Sequence, residues 1–279
     1  MKTSFRRIGT RTVAAITAAV LGITFLGAGQ AAWAEMPRTE EQLSSVTVTE
    51  SFDSIGGLLA APADENASPV GTVDQGEGTI TVPDNPEQGI ELTSDDGFQL
   101  LIGLPNASES TEAQVVEPGV ASYLGDDTAS SVVVADYGVQ MLTTIANADA
   151  PTRFDYQITL DEGQQLGLTE EGLPAVFAAD GSIDVAVATP WAQDANGTEI
   201  PTRYEINGNT LTQVVEHTES SSVAYPVTAD PIWIAPWVFR CLLGLGLKAP
   251  DIVRIAMLGT PGSIGAAFGR AAVACVFGK

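Results

Sequence analysis

Histidine, cysteine and positive charge are all scarce here: 279 residues hold one His, two Cys and 12 Lys plus Arg, against 35 Asp plus Glu. A formal charge of −23 opposes nucleic-acid binding, which needs clustered cations to release phosphate counterions. Aromatic residues are few, at 6%, yet 44% of the chain is hydrophobic, enough to build a core rather than leave the chain disordered. This length fits one or two domains. The class left is an exported, non-enzymatic protein.

The charge divides the chain into three unlike segments. Residues 1–34 carry Lys2, Arg6, Arg7 and Arg11 with no acid; residues 35–231 carry only Arg38, Arg153 and Arg203 against 34 acids; residues 232–279 carry five bases against Asp251 alone. The net charges are +4, −31 and +4.

The first segment reads as a secretory signal peptide. A basic stretch ending at Arg11 precedes an apolar run from Val13 to Leu26, and Ala32-Trp33-Ala34 supplies the small residues a signal peptidase needs. Cleavage before Glu35 leaves 245 residues. Gly9 stands where a twin-arginine signal wants a hydrophobic residue after Arg6-Arg7, so general secretion is expected. The expected location is extracellular or on the cell envelope, where disulfides persist. Cys241 and Cys275, the only cysteines, are expected to pair.

Residues 35–78 are rich in Ser, Thr, Glu, Gly and Pro and predict a mostly flexible acidic linker. Their one apolar patch, Phe52 with Ile55, Leu58 and Leu59, suits a short helix or a docking segment.

Residues 79–231 predict antiparallel, sandwich-like β structure, either as one domain or as two subdomains over 79–148 and 152–231. Short apolar runs such as Thr79–Val82 and Phe98–Leu104 stop at turn residues. Phe154, Tyr156, Ile158 and Leu160 alternate with polar residues, the period of a strand with one buried face. Asp180-Gly181 and Asn207-Gly208 each separate two such runs, and Asp-Gly suits a type I′ hairpin in which both central residues take positive φ.

Five strings in this region carry a resemblance: Ala148–Tyr156, Pro190–Gly197, Pro201–Tyr204, Leu211–His217, and the closing Tyr225-Pro226-Val227-Thr228-Ala229-Asp230-Pro231. Over residues 79–231 the chain resembles an uncharacterised family of secreted proteins of high-GC Gram-positive bacteria, whose acidic β region ends in Tyr-Pro-Val-x-Ala-Asp-Pro and is followed by variable tails. The resemblance implies a carrier or display module with a separate C-terminal effector. It implies no chemistry.

Candidate chemistry is sparse. His217 has Glu216 and Ser220 to Ser222 nearby, but a Ser/His/acid triad must converge in space and no nucleophile-elbow motif accompanies it. Asp194, Asn196, Thr198 and Glu199 offer oxygen ligands without completing a calcium loop. Asp95-Asp96, Asp126-Asp127 and Glu170-Glu171 read as solvated turn acids, since a glycosidase needs two carboxyls across a cleft. Catalytic, cofactor and metal residues are therefore expected to be none.

After Pro231 the composition changes to large apolar residues with basic charge. Three short helices are expected in 232–279: one with Trp237, Cys241 and Leu245 along one face, one opening at Pro250, and one opening at Thr260-Pro261. Gly265 and Gly269 in the last suit close helix approach, in a membrane or in a compact hairpin. Charges and prolines interrupt each long apolar run, so no membrane span is expected; an interfacial or pore-forming mode stays open, since basic charge beside large apolar residues favours anionic lipid surfaces. A Cys241–Cys275 disulfide would staple this small segment. Three functions follow: an envelope or extracellular binding module with a docked tail, a carrier for a bacteriocin-like membrane-active tail, and a hydrolase built on His217 or paired carboxylates. The first two differ in whether the tail's apolar faces rest on the β region, and the third needs a cleft that brings His217 to a serine and an acid.

Overall fold

The computed structural model describes residues 43–220 and 222–278, so the expected export signal over residues 1–34 and its expected cleavage site lie outside the described residues. The first element, helix α1 (Ser45–Ile55), falls within the segment expected as linker. Ser44 caps it, its hydroxyl accepting from the Thr47 amide, and Val48, Ser51, Phe52 and Ile55 form one buried stripe at helical spacing. This part of 35–78 is therefore folded, because its apolar face has a sheet to cover.

Among the described residues seventeen strands follow. The first eight are β1 (Gly71–Asp74), β2 (Gly78–Val82), β3 (Ile90–Ser94), β4 (Gln99–Ile102), β5 (Gln114–Glu117), β6 (Val120–Leu124), β7 (Thr128–Ala135) and β8 (Gly138–Ile145). The others are β9 (Arg153–Thr159), β10 (Gln165–Leu168), β11 (Pro174–Phe177), β12 (Ile183–Val187), β13 (Ala192–Gln193), β14 (Thr202–Asn207), β15 (Thr210–Val215), β16 (Val227–Ala229) and β17 (Ile232–Ile234). Helices α2 (Pro236–Gly244), α3 (Ala249–Leu258), α4 (Pro261–Phe268) and α5 (Arg270–Phe277) close the chain.

The strands form two antiparallel sheets. One has the order β1-β2-β3-β4-β9-β15-β14; the other runs β10-β11-β12-β17-β8-β7-β6-β5, with β16 also on β8 and β13 on β16. Strands from both halves of the β region enter both sheets: β9 joins β4, and β16 joins β8. The halves on either side of residue 150 thus share one core.

Side-chain alternation along β8 shows what covers each face. Thr143 Oγ1 lies 3.2 Å from the Tyr156 hydroxyl of the other sheet, whereas its neighbour Thr144 points the opposite way, 2.9 Å from Ser51 Oγ of α1. The second sheet is therefore covered on both faces, and β6, β7 and β8 are buried at every residue.

The composition break at Pro231 is not a structural boundary. Met141 donates its amide to the Pro231 carbonyl at 2.9 Å, and β17 continues along β8 with β12 on its other side. Ile232-Trp233-Ile234, expected at the start of the tail domain, is an interior strand.

Both expected hairpins form, with different turn geometry. Gly181 (φ 85°) and Gly208 (φ 57°) take positive φ, while Asp180 in the first turn and Asn209, which follows Gly208 between the paired Asn207 and Thr210, do not, so neither is a type I′ turn. The helical tail has four helices rather than three: Gly269, at φ 87° and ψ 175°, leaves helical geometry and separates α4 from α5. Gly265 then faces Val273 across the resulting hairpin, where a Cβ would sit 3.4 Å from that side chain. The buried face of α2 also differs from expectation. Trp237, Val238, Phe239 and Leu242 are buried, whereas Cys241 and Leu245 are exposed.

Candidate functional site: the groove at Trp191

Three segments that differ in composition meet around Trp191. The Gly56–Leu58 turn supplies Leu58, the loop after β12 supplies Pro190 and Trp191, and the end of α3 supplies Met257; with Gln193 and Glu199 they wall a groove of about 460 Å³. A smaller hollow of about 250 Å³ lies on the other side of Leu58, Trp191 and Met257, reaching Tyr137 and Ile232.

The loop is built to hold the indole still. Burial alternates through Trp191, Ala192, Gln193 and Asp194, so Trp191 and Gln193 are half-buried toward the groove while Ala192 and Asp194 face inward. Asp194 Oδ1 accepts the amides of Asn196 and Thr198, each at 2.9 Å, and Oδ2 accepts the Ala224 amide at 3.2 Å. Burial pushes its pKa up, but these amide bonds outweigh it and the net shift is downward. The expected partial calcium loop is thus a backbone turn whose leading carboxylate is already committed.

Beneath Trp191 lies a buried polar layer. The Trp191 amide donates to Asp230 Oδ1 at 3.4 Å, and its carbonyl accepts from Gln213 Nε2 at 3.2 Å. Gln213 Nε2 also donates to Thr202 Oγ1 at 3.2 Å, and the Tyr204 hydroxyl donates to the Asp230 carbonyl at 3.2 Å. Asp230 is fully buried, and desolvation holds its carboxyl pKa well above the usual range. Its Oδ2, Gln213 Oε1 and Trp233 Nε1 make no hydrogen bond.

Gln140 ties the N-terminal segment to the same sheet. Its Oε1 accepts the Ala60 amide at 2.7 Å and its Nε2 donates to the Leu58 carbonyl at 2.9 Å. Leu58 therefore reaches the groove through a buried amide on β8. Neither Gln140 nor the burial of Asp230 was signalled by the sequence, where both read as ordinary polar residues.

The structure does not assemble the imagined triad. His217 is buried, with Nε2 3.0 Å from the Pro151 carbonyl and Nδ1 2.8 Å from the Tyr225 hydroxyl. The carbonyl can only accept, so Nε2 carries the proton, and in the neutral ring Nδ1 is the acceptor facing the Tyr225 hydroxyl, which also lies 3.1 Å from the His217 carbonyl. Burial lowers the pKa of His217, outweighing the Pro151 bond, which favours the charged form. Ser220 and Ser222 bond to each other at the surface, 2.7 Å apart.

Two of the three acid pairs have structural partners. Arg240 of α2 binds Asp96, which also accepts from Ser94; the Ser94 hydroxyl first, and Arg240 next, hold the Asp96 pKa below the usual carboxylate value. Asp127 Oδ1 accepts from Asn147 at 2.6 Å. Glu171 lines a separate shallow hollow with Arg254. Among the described residues no three His, Cys, Asp or Glu side chains gather as a metal site. Cys241 and Cys275 form a disulfide, with S–S 2.08 Å and Cα–Cα 5.6 Å, joining α2 to α5.

No family model matches this chain, and no curated protein matches it in sequence.

Proposed function

We propose that the protein is an exported, non-enzymatic module that binds or organises material outside the cell or on its envelope, with its stapled tail a permanent part of the fold. The observation that carries this reading is the place of β17, between β12 and β8 inside the ten-stranded sheet. Cutting after Pro231 would take an interior strand away with the tail. The tail helices add to this anchorage: Phe239, Leu242, Ile252 and Ile255 are fully buried, and Trp237 packs against Gly78 of β2. The commitment of both His217 nitrogens speaks against hydrolysis.

A second reading, contact of the tail with an anionic membrane surface, draws on exposed Leu243, Leu245 and Met257 near Lys248 and Arg254. No helix among the described residues is long and apolar enough to cross a membrane.

The deciding experiment adds the oxidised mature protein, intact and after limited proteolysis, to dye-loaded anionic vesicles. The module reading expects a protease-resistant product that still contains residues 232–278, and no leakage from either sample. Release of a tail fragment with leakage would establish the carrier reading instead.

A further inference from the structure

The Trp191 groove joins an indole to two polar side chains with no structural work to do. Gln193 lies two residues beyond Trp191 on the same face of an extended segment, and Glu199 is bridged directly opposite Gln193. The Gln193 amide and the exposed Glu199 carboxylate make no hydrogen bond or ion pair with any described residue. The nearby Thr202 hydroxyl, by contrast, is spent on the Val214 carbonyl at 2.9 Å and on Gln213. Met257 forms the facing wall, its sulfur 3.7 Å from the Thr189 hydroxyl.

Resting on the module reading, we propose that this groove binds a neutral pyranose residue of an extracellular glycan, stacked on Trp191 and hydrogen-bonded by Gln193 and Glu199. A pyranose ring has a face of C–H groups and an equatorial rim of hydroxyls. The C–H face matches the electron-rich face of an indole. The rim needs donors and acceptors together: a glutamine amide supplies both, and a carboxylate accepts from two hydroxyls at once. Concave, largely apolar walls with a few convergent polar groups are the usual form of a small-ligand site.

Charge narrows the class of sugar. Glu199 is the one charged residue in the groove wall, and residues 35–231 hold 34 acids against three arginines. Phosphate- or uronate-bearing polymers are repelled by such a surface. The platform is also rigid, because Trp191 is hydrogen-bonded through both its amide and its carbonyl, so binding orders little.

The test titrates the oxidised mature chain with cellotetraose, maltotetraose, mannotetraose and chitotetraose, read by saturation-transfer NMR and indole fluorescence. At least one sugar binds saturably, with transfer strongest to its ring C–H protons. Trp191→Ala weakens that binding by about tenfold or more, and Gln193→Ala and Glu199→Gln by about three- to tenfold. The two polar variants leave the Tm unchanged, and Trp191→Phe, which keeps an aromatic face, retains part of the binding. The proposal is overturned if none of the four sugars binds, or if binding survives Trp191→Ala. It is also overturned if a tetralysine peptide, and not the sugars, perturbs Trp191 in a salt-dependent way, which would make the groove a cation site. The module reading stands or falls separately, on the vesicle and proteolysis result.

Discussion

Tyr225 and His217 lock two loops together: the phenol reaches His217 Nδ1 at 2.8 Å and the His217 carbonyl at 3.1 Å, with the two rings edge-to-face 5.7 Å apart. Pro151, at the head of β9, accepts from the other ring nitrogen. The Tyr-Pro-Val-x-Ala-Asp-Pro string thus has a structural use at nearly every position. Tyr225 holds His217, residues 227–229 are β16, Asp230 supports Trp191, and Pro231 receives the Met141 amide.

Burial holds the folded pKa of His217 below its ordinary value and so favours the neutral ring. Between the folded pKa and the unfolded value of about 6.5, the unfolded chain binds more protons, so stability rises with pH across that window. Full stability is present above the unfolded pKa and falls as pH drops toward the folded one. The difference in Tm between wild type and His217→Gln, followed from pH 8 to pH 5, should show this slope, because that comparison cancels the opposing contribution of Asp230. Tyr225→Phe should cost about 1–3 kcal/mol, since it removes the partner of a buried nitrogen.

Asp230 acts in the opposite sense. Its folded pKa is raised by burial, so the folded chain binds more protons than the unfolded one above about pH 4, and stability declines as pH rises from there toward the folded pKa. Asp230→Asn keeps an acceptor for the Trp191 amide while removing the ionisable group. Its Tm should exceed that of the wild type at pH 7.5 and converge on it near pH 4. An unchanged difference at both pH values would remove ionisation as the cause.

Gly138 opens β8 at φ 144°, beside Trp233 and Ile234 of β17. A Cβ there would overlap the Trp233 carbonyl oxygen and crowd the Ala235 amide, both backbone atoms that cannot rotate away. Gly138→Ala should cost about 3 kcal/mol or more, combining strained φ with a displaced interior strand. Urea unfolding measures it, and Gly172→Ala serves as control, since its positive φ is strained but its space is open.

Legibility in the sequence followed the physics of each segment. Strand β9 could be read directly, because one face meets the core and its burial alternates at every residue. Strand β17 could not, because a strand covered on both faces has no alternation, and Ile232-Trp233-Ile234 next to more apolar residues looks like the start of a helical tail. Helix α1 was legible in part, since Phe52 and Ile55 suited a short helix, but polar residues hid its start at Ser45, and only the partner sheet reveals that Ser51 is an interior contact to Thr144. Trp191 was visible in the sequence as part of a quoted string, but its neighbours Leu58 and Met257 lie 133 residues below and 66 above it, and only the fold brings them together.

The disulfide separates anchorage from stapling. Cys241 and Cys275 close a 34-residue span, so reduction should release about 3–4 kcal/mol of constraint on the unfolded chain. A tail held only by this bond would come free on reduction. Here α2 and α3 are buried against the sheet, Arg240 binds Asp96, and β17 lies between two strands, and none of these contacts needs the sulfurs. The Cys241→Ser/Cys275→Ser double variant should therefore melt at lower temperature yet keep hydrogen-exchange protection in β17 and along the buried face of α3. Protection should fall in α5, whose Ala272 and Val276 are its only fully buried residues. Loss of protection in β17 together with α5 would mean that the staple, and not the sheet, holds the tail.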